Sequence, residues 1–369
     1  MSDNTAMDQQ SMNCRYCADI AKANGVDPLG TAAKADHWLI TEMKQPWSHS
    51  LTEHPQVQPL IPLFKKLIFR RGILIRPIAI ATDRDYSQTG WTRLLYYYRP
   101  SLQFAQYAKQ EFLIPEAEGL NFTMALLKSL LKQPNHFEHY RKYQQNTREI
   151  RELLICTHTQ VDLACGRYGT PIYRQLRQDY GHNPSSLRVW QATHFGGHQF
   201  APTLLDLPTG QFWGHLEPAI LPTLVERQGE VSSLRPYYRG WSGLQKFEQM
   251  AEGEIWQREG WAWLDYPKAG RTTKKGLKGI KLFLYPLLQL IPLNLMQMWL
   301  EQWTQEADWV EVNLQFVLPE ATQISCYRVR LATKGRVKTA VKSAAKPDDT
   351  LTLQDQWQYE VTQVVRYDT

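Results

Sequence analysis

The stretch RELLICTHTQVDLACGRYGTPIYRQLRQDYGHNPSSLRVWQATHFGGHQFAP, from Arg151 to Pro202, decides the fold. RELLIC (151–156) is a short apolar run of strand type that ends on a cysteine. The segment THTQVDLA leads to Cys165, and GRYG follows. Thr170 and Pro171 offer an N-cap and a first-turn proline for a helix over IYRQLRQDY, with Gly181 as its stop. SLRVWQATHF alternates apolar and polar residues and reads as the next strand. Strand, helix and strand over about 40 residues make a βαβ unit. If the strands are parallel, both end at one edge of the sheet, and Cys156 emerges beside His194.

Cys156 and Cys165, with His194 and His198, form a candidate ligand set. Thiolates and imidazoles in this number suit zinc or an iron–sulfur cluster. Gly196 and Gly197 separate the histidines, and each glycine disfavours a helix by about 1 kcal/mol relative to alanine. A turn is therefore expected, and it would fold His198 back toward the metal that His194 faces. Cys165 falls at a helix start, where the dipole favours a thiolate. A lone buried cysteine is usually a small apolar residue, and a lone histidine a satisfied polar group. It is their joint placement in one βαβ unit that argues for a metal. His158, two residues after Cys156, is the main rival ligand, and His215 reads as an ordinary strand histidine.

These residues resemble the sucrase/ferredoxin-like family. The matching segments are Cys156, Cys165 and HFGGHQFAPTLL, together with PLGTAAKADHWLITEMKQPW (28–47), GQFWGHL (210–216) and PYYRGWSGL (236–244). The resemblance implies a thioredoxin-like ferredoxin domain in which histidines replace the second cysteine pair. It makes Cys156, Cys165, His194 and His198 the ligands of one [2Fe-2S] cluster. It implies no glycosidase chemistry.

The expected fold class is α/β. A divergent N-terminal α/β half (12–149) follows a disordered start (1–11). The thioredoxin-like ferredoxin domain covers 150–257, and a C-terminal extension of basic loop, apolar helix and β-meander covers 258–369. HWLITEM (37–43), ILIRPIAIA (73–81) and RLLYYYRP (93–100) read as strands, with Pro77 marking an edge or bulge. LIPLFKKLIFRRG (60–72) and GLNFTMALLKSLLKQ (119–133) read as helices. The run 282–300 is rich in leucine but holds Gln289, Asn294, Pro286 and Pro292, so it reads as a buried or interfacial helix, with membrane contact the minor alternative.

The chain has 369 residues, a net charge of +6, 13 tryptophans and 18 tyrosines, so aromatic-rich packing is expected. Its five cysteines and polar start MSDNTAMDQQSMN argue against a secreted disulfide framework, and a reducing cytoplasm is the expected compartment. Basic residues are spread too widely for nucleic-acid binding. Those between Lys268 and Lys281 sit in a loop-like stretch that could dock an acidic redox partner. Electron transfer or redox sensing by a [2Fe-2S] cluster is the leading expectation, an electron carrier rather than a substrate-converting enzyme. The alternatives are a structural zinc site and a thiol–disulfide oxidoreductase using Cys14/Cys17 or Cys156/Cys165.

Overall fold

The computed structural model describes residues 16–277, 307–318, 324–344 and 351–368, with isolated positions 284, 288 and 300. Cys14, Lys278, Lys281 and nearly all of the apolar run 282–300 lie outside the described residues. Among those described, no helix is long and apolar enough to cross a membrane.

The elements run α1 (Cys17–Ala23), β1 (His37–Glu42), α2 (Ile61–Arg71), β2 (Ile75–Ile80), β3 (Trp91–Tyr98), β4 (Ala108–Pro115), α3 (Gly119–Leu130) and the short β5 (Gln144–Gln145). They continue with β6 (Arg151–Cys156), α4 (Leu163–Tyr180), β7 (Leu187–Ala192), β8 (Leu204–Leu207), β9 (Gln211–Trp213), α5 (Leu221–Glu226), β10 (Tyr238–Trp241) and α6 (Lys246–Glu259). Last come β11 (Lys268–Lys275), β12 (Trp309–Val317), β13 (Ile324–Ala340) and β14 (Leu353–Asp368).

β1 to β10 form a single ten-stranded sheet in the order β10-β9-β8-β6-β7-β2-β1-β3-β4-β5. The order holds one topology twice. β1 and β2 are parallel and joined by α2, with β3 antiparallel to β1 and β4 antiparallel to β3. β6 and β7 are likewise parallel and joined by α4, with β8 antiparallel to β6 and β9 antiparallel to β8. Each half thus has the strand arrangement expected of a thioredoxin-like unit. The halves meet antiparallel at the single pair Ile80–Ala192, so their C-terminal strand ends face each other at the centre of the sheet.

Burial explains the strand types. Leu153, Leu154 and Ile155 of β6 are all fully buried, as an inner strand covered on both faces requires. α2 and α3 bury Leu63, Leu67, Phe122 and Leu126 against Leu39, Leu94 and Phe112 of the N-terminal half. Trp38, Trp190, Trp213, Trp241, Trp256 and Trp263 are all fully buried, so these six tryptophans are core. β11 to β14 form a separate antiparallel sheet, whose Val310, Val312, Leu314 and Phe316 join the core of the main sheet alongside Ile255 and Trp256 of α6.

Several expectations are corrected. The helix after β6 starts at Leu163, because the Asp162 side chain accepts from the Ala164 amide at 2.9 Å and caps it. Pro171 therefore lies inside the helix, where it forgoes one backbone bond. Pro77 is in an inner strand, but β2 meets β7 through one pair only, so little pairing is lost there. The stretch around Lys268–Lys275 is strand β11, not a loop. Lys268 is fully buried, lies over the Trp241 and Trp263 rings, and donates to the Trp263 carbonyl at 2.8 Å, so it is not a docking residue.

A buried charge network ties the halves together. Lys109 of β4 reaches Glu152 of β6 at 2.7 Å. Arg188 of β7 contacts Glu111 of β4 at 3.0 Å and Glu152 at 3.4 Å. Trp190 donates to the second Glu152 oxygen at 2.6 Å. Glu152→Ala would leave two buried cations under-compensated. The expected loss is about 3–5 kcal/mol of unfolding free energy, read from denaturant melts; an unchanged midpoint would show that the network does not hold the halves.

Asp206 of β8 is paired with Arg151 through both carboxylate oxygens, at 2.9 and 2.7 Å. Burial would raise its carboxyl, but Arg151 and Arg227 outweigh this and hold it below the ordinary range. A lowered folded value means that its stabilisation is present above the unfolded carboxylate value of about 3.9 and is lost as pH falls. Urea melts from neutral into acid pH should therefore show a shallower acid loss in Asp206→Asn than in the wild type, and equal slopes would contradict this pairing.

Candidate metal centre

The centre is built at the edge where β6 and β7 end. Their parallel register sets Cys156 beside Ala192. Thr193 is pinned next, its amide donating to the Ala79 carbonyl at 2.8 Å and its hydroxyl accepting from the Ala79 amide at 2.9 Å. His194 follows from that fixed point. α4 lies hard against the strand end, since a Cβ on Gly169 would come within 2.1 Å of the Cys156 carbonyl oxygen. This places Cys165, in the first turn of α4, near Cys156. His194 Nδ1 lies 3.7 Å from each thiol sulfur, and all three donor atoms fall within 4.8 Å of one another. Both cysteines are buried, while His194 is half-buried.

The turn after His194 is as expected, with Gly196 at φ +103° and Gly197 at φ +81°. A side chain at Gly197 would overlap the Arg239 guanidinium, which a Cβ would meet at 2.2 Å. Arg239 of β10 is fully buried, and donates to the Gly196 carbonyl at 2.9 Å and to the Thr31 carbonyl at 2.7 Å. Burial pulls this guanidinium down to about 9, against the opposing pull of the Cys156 and Cys165 sulfurs. A buried cation beside two thiols offsets the charge that a metal-bound thiolate pair would carry.

His198 does not close on the two sulfurs. The turn brings it beside His194, ring centres 5.6 Å apart, but its Nδ1 is 3.2 Å from Cys17 Sγ and 3.4 Å from an Asp162 oxygen. Cys17, Asp162 and His198 form a second group whose donor atoms all lie within 4.8 Å. The four expected ligands are therefore adjacent but divided, three facing one another and the fourth turned toward α1.

Burial raises the Cys156 thiol, but a hydrogen bond from Cys165 and the His194 imidazole more than reverse this, so Cys156 falls well below the ordinary thiol range. Sharing with Cys156, added to burial, pushes Cys165 up. Burial pushes the Cys17 thiol up to about 12.

His158 is not a free ligand. Its Nε2 is 2.9 Å from the Ser48 carbonyl and its Nδ1 3.4 Å from the His194 amide, so it braces the chain that carries His194. His215 packs edge-on against Phe200. Cys326 is a buried residue of β13. Sequence reasoning missed Asp162, Arg239 and Ser343. Asp162 carried a signal as an aspartate just before a helical run, and Arg239 lay in the matching segment PYYRGWSGL; Ser343 carried none.

No curated protein matches the chain. Among solved structures, a thioredoxin-like [2Fe-2S] ferredoxin from Aquifex aeolicus aligns with 16% identity over 22% of this chain and 80% of its own, at a TM-score of 0.19. That score is too low to bear on the architecture. The sucrase/ferredoxin-like family model matches residues 28–240, a span that takes in both parallel strand pairs, the two thiols and the histidine turn, and the chain belongs to that family.

Proposed function

We propose that the protein is an iron–sulfur electron carrier or redox sensor that holds one [2Fe-2S] cluster through Cys156, Cys165, His194 and His198. The observation that carries this reading is the meeting of two buried sulfurs with His194 Nδ1 at 3.7 Å, where the β6–β7 register sets Cys156 level with the residues that lead to His194 and the first turn of α4 brings in Cys165. The donor set fits the group: two soft sulfurs, two imidazoles, and a buried guanidinium to offset negative charge. When bound, the cluster supplies one-electron transfer, and two imidazole ligands favour a potential nearer the about −150 to +300 mV of Rieske centres than the about −400 mV of plant-type ferredoxins.

The chain's own residues do the rest. Cys156 and Cys165 are 1% exposed and keep water from the sulfur side, whereas the His198 side chain is 19% exposed. A redox partner would therefore approach over the histidines. Of the basic stretch considered for docking, Arg271 and Lys274 are exposed, and Lys274 is paired with Glu311 at 3.1 Å. Thiol–disulfide exchange through Cys17 is disfavoured by its complete burial and raised thiol.

Anaerobic purification with iron, sulfide and zinc counted beside a visible spectrum tests the reading. About two irons and two sulfides per chain are expected. The visible bands should be lost in Cys156→Ala and His194→Ala. One zinc and no colour after reconstitution would replace the reading by a structural zinc site, and no metal at all would return the question to thiol chemistry.

A further inference from the structure

Asp162 is the most heavily engaged carboxylate near the centre. One oxygen accepts from the Ala164 amide at 2.9 Å, the Ser343 hydroxyl at 2.6 Å and the Cys17 thiol at 3.6 Å. The other accepts from the Ser343 amide at 3.0 Å and lies 3.4 Å from His198 Nδ1. Ser343 follows β13, in the C-terminal sheet, and its hydroxyl also accepts from the Cys17 amide at 3.0 Å. Three distant parts of the chain therefore meet on one carboxylate: the α1 helix, the N-terminus of α4 and the end of β13. Cys17, Ala18 and Ile20 of α1 share a small core with Ala164, Ala201 and Ala340, which fixes the arrangement from behind. Burial would raise the Asp162 carboxyl, but Ser343, the Ala164 amide and His198 keep it below the ordinary range.

Helix capping alone does not need this. A neutral asparagine caps a helix as well as aspartate does. What the second carboxylate oxygen adds is a contact to His198, whose Nδ1 is held while Nε2 has no hydrogen-bond partner among the described residues. His194, by contrast, turns Nδ1 to the sulfurs.

We infer that Asp162 is a positioning residue for His198, latched by Ser343 and Cys17, which holds Nδ1 and leaves Nε2 as the nitrogen that binds metal. The two histidines then use different ring nitrogens. This rests on the ligand reading proposed above and adds residues from α1 and the C-terminal sheet to the centre. A carboxylate on the far nitrogen of a metal-bound histidine fixes the ring and raises its basicity, and its removal typically weakens metal binding about 10–100-fold.

The test follows iron release to a chelator, by loss of the visible bands, in the purified wild type and in Asp162→Asn, Asp162→Glu, Ser343→Ala and His198→Ala. Thermal melts of the metal-free proteins and reduction potentials of the loaded ones are measured alongside. The expected result is that Asp162→Asn melts like the wild type, releases iron about 10-fold faster or more and has a raised potential. Asp162→Glu should restore release toward the wild-type rate, and Ser343→Ala should be intermediate. If His198→Ala speeds release but Asp162→Asn matches the wild type in release and potential, the positioning role is overturned and the ligand reading stands. If Asp162→Asn lowers only the melt, the residue is a structural cap and the inference fails. If the wild type binds no iron, or His198→Ala releases it at the wild-type rate, the ligand reading fails and takes this inference with it.

Discussion

The parallel, in-register pairing of β6 and β7 is the constraint on which the centre depends. It sets Cys156 level with Ala192, so that two further residues of chain deliver His194 across from the thiol. Neither side chain could reach that position from a flexible loop with comparable precision. The pairing is supported from below by Glu152, which binds Lys109 and Arg188, and from above by Thr193, which bonds Ala79 across the junction of the halves. α4 completes the set only because Gly169 lets it press against the end of β6.

The repeated topology shows how one scaffold carries two different edges. In the N-terminal half, Glu42 closes the first parallel strand where Cys156 closes it in the second. The edge there opens on a cavity of about 640 Å³, lined by Leu39, Met43, Leu60, Phe64 and Leu120. The two edges meet through the loop after β1. Its Trp47 packs edge-on against His158 and its Ser48 carbonyl contacts His158 Nε2, so the N-terminal half braces the chain that carries His194.

The local frame of the centre was legible in the sequence. Period-two alternation located β7, the apolar run located β6, and the Gly196–Gly197 pair announced the turn. What the sequence concealed was the long-range pairing. Asp162 and Ser343 are 181 positions apart, and Arg239 reaches Gly196 over 43 positions. No spacing rule reports such contacts. The helix start was misplaced because Thr170 and Pro171 offered a competing signal, which the cap at Asp162 overrides. Lys268 read as surface because lysine usually is, yet two tryptophan rings and the carbonyls of Trp263 and Tyr266 enclose it. β4 and β8 were missed because AKQEFLIP and LLDL carry weak alternation and are defined by the neighbours they pair with.

The central claim is that two cysteines and two histidines share one iron–sulfur cluster, with Asp162 keeping its hold on His198 Nδ1. Pulsed electron paramagnetic resonance on the reduced protein, with histidine labelled by nitrogen-15, tests it most directly. Two strongly coupled imidazole nitrogens in the wild type and one in His198→Ala would bear out the account. A single coupled nitrogen unchanged by His198→Ala, or none, would contradict it.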